Sequence, residues 1–193
     1  MARPREFDPK DVLQTAIELF WEKGYHDGSV DEVVKRSGVA KYGIYGTFGT
    51  KRELFLKALT QFAADRHQDI QRTIRKPNAS LPEILAFFKQ APAQMTPENG
   101  VHGCLITNTG IELGLKDPEI RDFVMEFFRD TAEVLNHCLT RAVDKGELEA
   151  PNDIPKLATY LATEFRTALM LAASGYSRRD IRRHLSVAIR VLE

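Results

Sequence analysis

Apolar residues recur at steps of three and four through most of this 193-residue chain, and no run alternates strictly for long enough to make a strand. Stripes of that period are buried by packing helix on helix, so the expected fold class is all-α, with about nine helices. A first helix fits 9–24, with Val12, Leu13, Ala16, Ile17 and Phe20 on one face and Gly24 as its stop. Ser29-Val30-Asp31-Glu32 reads as a capping box opening a short helix to Ser37. Gly38 and Val39 make a turn, a third short helix covers about 40–47, and Thr50-Lys51-Arg52-Glu53 is a second capping box that opens a long helix toward Arg75. Further helices are expected near 81–91, 102–114, 118–145, 153–174 and 177–192, with a Pro-containing loop through Ala91-Pro92 and 96–100. The stripe of 118–145, from Ile120 through Phe127, Phe128 and Cys138 to Ala142, is wide enough to be buried on more than one side. Neither repeats nor low-complexity tracts are evident.

This length supports one substantial core, or a small domain beside a larger one. No stretch approaches the roughly 18 apolar residues that cross a bilayer, and the N-terminus has basic residues without an apolar segment behind them. A cytoplasmic protein without a membrane partner is expected. Cys104 and Cys138 are the only cysteines, and in a reducing compartment they are expected as free thiols. The 27 basic and 27 acidic residues cancel, so composition alone gives no sign of nucleic acid. A claim about DNA has to rest on how the charge is distributed.

The informative stretch runs from Ser29 to Phe55: a capped short helix, a tight Gly38-Val39 turn, a second short helix, then a capped long one. This is the grammar of a helix-turn-helix, whose second helix enters the major groove while the first braces it. The block SVDEVVKRSGVAKYGIYGTFGTKRELF, preceded by Ala16-Ile17-Glu18-Leu19-Phe20 and Gly24-Tyr25, closely resembles the TetR family signature. That resemblance covers about a quarter of the chain. It implies a helix-turn-helix DNA-binding domain over 1–49 and an effector-binding and dimerisation domain over 50–193.

Carried over position by position, the resemblance places Lys41, Tyr42 and Gly43 at the exposed start of the recognition helix, where base edges and phosphates are met. Tyr45 and Thr47 follow on the groove side. Lys51, at the head of the long helix, is placed to meet a phosphate with its ammonium and the free amides there. Ser29 has a hydroxyl to offer a phosphate, in competition with its capping role. Ile44 and Phe48 should point into the small domain's core. The pattern departs from the family at Gly43, where a hydroxyl residue is common, and at Gly46, where a larger residue is usual. Arg3 and Arg5, ahead of the first helix, resemble the basic arm of some relatives, and such an arm reaches a narrow minor groove; a frayed tail is the plainer alternative.

For the remainder, the family resemblance implies an effector pocket and a homodimer through the helices near 153–174 and 177–192, where Ala168, Ala172, Ala173 and Gly175 permit close approach. A two-fold dimer reads a near-palindromic operator in double-stranded DNA, with half-sites roughly 34–36 Å apart. Candidate pocket residues are Phe62, Phe87, Phe88, Cys104, Asn108, Phe127, Phe128 and Phe165, each with ordinary core as its plainer reading. Asn108 shares a helical face with Cys104 and Glu112, and needs a partner if buried. The segment from Gly103 to Thr109 resembles one subgroup of the family, some of whose members respond to electrophiles or oxidants. Cys104 is therefore also a candidate redox switch, its thiolate favoured in the first turn of a helix, against the alternative of an inert buried cysteine. The functional expectation is a ligand-responsive repressor, released from its operator by a small molecule or by thiol modification when the long helix shared by both domains tilts.

No cofactor is implied. A metal site from His102, Cys104, His137 and Cys138 is disfavoured, because adjacent His137 and Cys138 diverge by about 100° around a helix. The rival functions are a cysteine-dependent enzyme using Cys104 with His102, for which no orienting acid or oxyanion donor is apparent, and a helical interaction module without DNA affinity.

Overall fold

A computed structural model describes residues 7–96, 103–150 and 153–193; Arg3, Arg5 and His102 lie outside them. Among the described residues there are nine α-helices and no strand. Two compact units divide at 64/65. The first takes in the opening turns of the long fourth helix, because Leu54, Phe55, Ala58 and Leu59 are buried with the residues before them.

In the first unit, α1 spans Pro9–Asp27, capped by Asp8, whose carboxylate accepts from the Lys10 amide at 2.8 Å. The expected stop at Gly24 is a kink instead: Gly24 takes φ 77° and the helical chain resumes to Asp27. Helix α2, Val30–Ser37, ends at Gly38 with φ 71°, a left-handed conformation that glycine adopts without the Cβ penalty. Helix α3, Lys41–Phe48, follows after the two-residue turn, and α4, Lys51–Thr73, after Gly49. The Thr50 box forms in full: Glu53 accepts from the Thr50 amide at 2.7 Å and the Glu53 amide donates to the Thr50 hydroxyl at 3.3 Å. The Ser29 box forms by half. Ser29 accepts from the Glu32 amide at 3.2 Å, but the Glu32 carboxylate turns to Lys23 at 2.7 Å and Arg36 at 3.1 Å, because two cations outbid one amide.

The core of this unit is Phe20, with Ile17, Val33, Ile44, Phe48, Leu54 and Phe55. Phe20 and Phe55 meet edge to face at 5.1 Å, and Trp21 meets Phe62 likewise at 5.1 Å. Burying side chains of this size is worth about 1.5–3 kcal/mol each. Such anchoring fixes the short helices α2 and α3, which would not persist in isolation.

In the second unit, α5 is Leu81–Met95, α6 Leu105–Leu113, α7 Pro118–Asp144, α8 Ile154–Ala173 and α9 Arg178–Ala188, closed by a 3₁₀ turn at Ile189–Leu192. Pro92 lies inside α5 rather than in the expected loop, and its carbonyl still accepts from the Thr96 hydroxyl at 2.7 Å. Helix α6 begins at Leu105, later than the sequence suggested. Cys104 is thus its cap, with extended backbone, and not a first-turn residue.

The broad stripe of α7 is buried from Ile120 to Ala142 and packs chiefly on α8. Side chains of α7 and of Lys145, the residue that caps its end, also stitch down the connector after α4. Asp130 holds Arg75, Cys138 donates to the Ile74 carbonyl at 3.0 Å, Arg141 to the Ala79 carbonyl at 2.7 Å, and Lys145 to the Asn78 carbonyl at 3.0 Å. Glu147, past the helix end, accepts from the Leu81 amide at 3.1 Å.

Candidate nucleic-acid interface

Helix α3 is sorted by its own periodicity. Ile44 and Phe48, four apart, are buried at 0% and 5% exposure, whereas Tyr42 and Tyr45 stand 80% and 43% exposed. Two large aromatics held out in water on a short rod are unusual for a folded domain and are available to a partner. Lys41 is exposed beside them, its ammonium 2.6 Å from Asp31 at the start of α2, and that carboxylate holds the ammonium's pKa above the ordinary lysine value. Thr47 is half-buried and Gly46 open: a Cβ added there meets nothing within 4 Å.

Lys51 and Lys57, both on α4, are turned toward carbonyls left open by helix ends. Lys51 donates to the His26 carbonyl at 3.0 Å and lies 4.7 Å from the Tyr25 ring centroid. Lys57 donates to the Phe48 carbonyl at 3.3 Å. Each cation meets the negative end of a helix, α1 and α3 respectively. Ser29 is spent on its cap. Of the residues expected to face DNA, the structure therefore groups Lys41, Tyr42 and Tyr45 on one exposed face and gives Lys51 and Ser29 structural partners. Asp31 was read in the sequence only as part of the Ser29 box, and its pairing with Lys41 was missed; its place two residues after a cap was the available signal.

The candidate effector residues separate. Phe62 belongs to the first unit and meets Trp21. In the second unit Phe87, Phe88 and Phe165 form one aromatic cluster, with Phe87 and Phe165 4.8 Å apart, and Phe127 meets Phe128 edge to face at 5.3 Å. His67 stacks flat on Phe127 at 4.9 Å, and the Arg166 guanidinium lies 4.6 Å over Phe128. Asn108 is half-buried. Cys104 is buried at 4% exposure, and burial pushes its thiol up from the ordinary value. The Thr107 and Ile106 amides, the Thr107 hydroxyl and the charge of Arg66 offset this in part. Wholly buried Thr107 and stacked His67 were both missed in the sequence, since a threonine or histidine among helical residues carries no sign of its neighbours.

Exposed apolar side chains gather on α8 and α9 and the turn between them: Tyr160, Met170, Tyr176 and Val187, with Val191 beyond. Between these helices lies a groove of about 410 Å³, lined in part by Tyr160, Tyr176 and Val187 together with Glu164, Arg183 and His184. Among the described residues no three His, Cys, Asp or Glu side chains group as metal ligands, and no helix is long and apolar enough to cross a membrane.

A left-handed glycine between two short helices, with the second presenting aromatics and a cation outward, defines a helix-turn-helix DNA-binding protein. Residues 12–58 match the family of bacterial regulatory proteins of the tetR type, and residues 80–187 match the tetracyclin repressor-like C-terminal domain. Over the full length of both chains, the sequence is 31% identical to an HTH-type transcriptional regulator, YezE, of Bacillus subtilis (strain 168). It is also 31% identical to the transcriptional repressor BdcR of Escherichia coli (strain K12), across 65% of this chain and 62% of that one. A cysteine-mutant form of the TetR family regulator CifR, complexed with 26 bp operator DNA, shares the fold with TM-score 0.88 at 21% identity, covering both chains completely. Reduced NemR of E. coli shares it with TM-score 0.81 at 19% identity, covering 93% of each. The chain belongs to the TetR family of DNA-binding transcriptional regulators, and is not an enzyme.

Proposed function

We propose that this regulator is a repressor that binds a near-palindromic operator as a homodimer and releases it when an effector acts on its second unit. The observation that carries the DNA contact is the division of α3, with Ile44 and Phe48 buried while Tyr42, Tyr45 and Lys41 face outward. On this reading Lys41, Tyr42, Gly43, Tyr45 and Thr47 meet the major groove and adjacent phosphates. Lys51 and Ser29 support the helix ends and lend the backbone a secondary contact, and Arg3 and Arg5 extend the cationic surface. BdcR, a relative named as a repressor, and operator-bound CifR support the assignment.

Pairing of two copies through α8 and α9 is supported by the apolar residues those helices leave exposed. For the effector, we assign the second unit's aromatics Phe87, Phe88, Phe127, Phe128 and Phe165, with Cys104 and Asn108, as the residues that a small organic molecule would meet, supported by the apolar character of these side chains. The raised pKa of Cys104 favours non-covalent binding over attack by its thiolate. An effector acts only by preferring the arrangement that cannot hold DNA.

Genomic selection with the purified protein at low ionic strength, followed by binding to its own upstream region, tests this. Retention of a palindromic fragment, weakened by Lys41→Ala with Tyr45→Ala and by rising salt, is expected. Failure to retain any fragment, or a monomer at micromolar concentration, overturns it. If an electrophile releases the DNA and Cys104→Ser abolishes that release, the thiol acts in place of a bound ligand.

A further inference from the structure

Two polar groups inside the second unit lack the partners that burial demands. The hydroxyl of Thr107 is wholly enclosed and makes no hydrogen bond, although it would donate to Cys104 if that thiol ionised. The guanidinium of Arg166 is half-buried, 4.6 Å over the ring of Phe128, and among the described residues no carboxylate pairs with it. Arg75, Arg141 and Arg178 of the same unit each hold an oxygen: the Asp130 carboxylate, the Ala79 carbonyl and the Thr96 carbonyl. Buried polar groups are nearly always hydrogen-bonded and buried charges paired, so an orphaned hydroxyl and an unanswered cation mark a place where a partner is missing.

The packing of α6 brings the two together. A Cβ on Gly103 would stand 2.7 Å from Cβ of Ala173 and 3.0 Å from the Leu169 carbonyl oxygen, so the chain entering α6 is pressed against α8. A Cβ on Gly110 would stand 3.0 Å from Cγ1 of Val124, so the same helix is pressed against α7. Thr107 lies between these glycines and shares a helical face with Gly110. On α8, Arg166 shares the face of Leu169 and Ala173, and on α7 Phe128 follows Val124 by one turn, about 5.4 Å. Thr107, Phe128 and Arg166 thus converge where the three helices meet. Arg66 adds positive charge there, since its field favours the ionised form of Cys104.

This chemistry selects an anion with an apolar body. The fork of a guanidinium matches a carboxylate with two parallel hydrogen bonds while its flat face stays on an aromatic ring. Strongly hydrated inorganic anions gain nothing from the rings, and cations are repelled.

We propose that the effector of the second unit is an organic carboxylate: Arg166 holds its charge, Thr107 donates a hydroxyl to it, and its apolar body lies against Phe128 and Phe127. This rests on the second unit being the effector-binding part, and adds the charge of the ligand and the residue that selects it.

Calorimetric titration of the full-length protein at neutral pH with octanoate, decanoate, phenylbutyrate and naphthoate, each beside its own primary amide, tests the proposal. At least one acid is expected to bind about tenfold or more tightly than its amide. Arg166→Gln should bring that preference close to unity, and Arg166→Lys should keep part of it. Thr107→Val should weaken the acid severalfold and hardly affect the amide. The proposal is overturned if no acid binds at millimolar concentration, if amides bind as tightly as acids, or if the preference survives Arg166→Gln. Should Arg166→Gln fail to fold, unchanged acid binding by Thr107→Val overturns it.

Operator release by the same compounds separates this proposal from the reading beneath it. Release by an amide alone keeps the effector role of the unit and discards the carboxylate. An acid that binds through Arg166 yet leaves operator affinity unchanged discards the effector role.

Discussion

The ammonium of Lys41 lies 2.6 Å from the carboxylate of Asp31, so the one cation at the head of α3 is already engaged by an acid of α2. A phosphate approaching α3 must compete with that carboxylate and is repelled by it. Asp31→Asn is therefore expected to tighten operator binding severalfold at low salt and to steepen its salt dependence, as read by fluorescence anisotropy. Weaker binding would mean that the acid's role is to aim the lysine.

Gly46 and Gly49 should respond in opposite ways to alanine. At Gly46 the helix has open space for a methyl group, and Gly46→Ala should stabilise the fold by about 0.5–1 kcal/mol, visible as a higher Tm. At Gly49 the backbone has φ 81° and the Glu53 carboxylate occupies the place of a Cβ. Gly49→Ala should cost about 1 kcal/mol or more. Equal effects at the two sites would contradict the geometry of the turn.

Acid should loosen the start of α4. The Thr50 amide, and then its hydroxyl, hold the Glu53 carboxyl below its usual range. A folded-state pKa lowered in this way contributes stability that is fully present above the unfolded value of about 4.3 and is lost as pH falls through the folded value. Thermal unfolding of Glu53→Gln should therefore differ most from the parent near neutral pH and converge with it in acid. A difference that grows as pH falls would have the wrong sign for this cap.

Both thiols should be slow to react in the folded protein. Cys104 and Cys138 are buried, and burial raises the pKa of each, with Arg141 offsetting part of the rise at Cys138. Labelling with a thiol reagent at neutral pH should proceed at the rate of local opening and accelerate sharply in denaturant. Rapid native labelling of Cys104 alone would favour the redox switch over non-covalent effector binding.

The helices and the outward face of α3 were legible in the sequence because both are local: a period of 3.6, a left-handed glycine, a serine or threonine three residues ahead of a glutamate. The Thr50 box formed as read because Thr50 and Glu53 hold each other through amide and hydroxyl alike. At Ser29 the same spacing was half right, since Lys23 arrives from another helix to claim Glu32. Pro92 invited a break because proline lacks an amide, yet the packing of Phe88, Ala91 and Met95 carries α5 past it. Phe7 against Gly43, and Cys138 against Ile74, join positions tens of residues apart and leave no periodic trace. Nothing in the sequence points to the partners of Arg141 and Lys145, because their acceptors are backbone carbonyls, which every sequence has.

Those carbonyls have a mechanical consequence inside the second unit. Four successive fastenings, from Asp130 to Lys145, rivet the segment after α4 along one long strut, and each must rupture before that segment can slide on its own. Displacing the strut is therefore expected to carry that segment with it, because the two are joined at four places along their length and not at one.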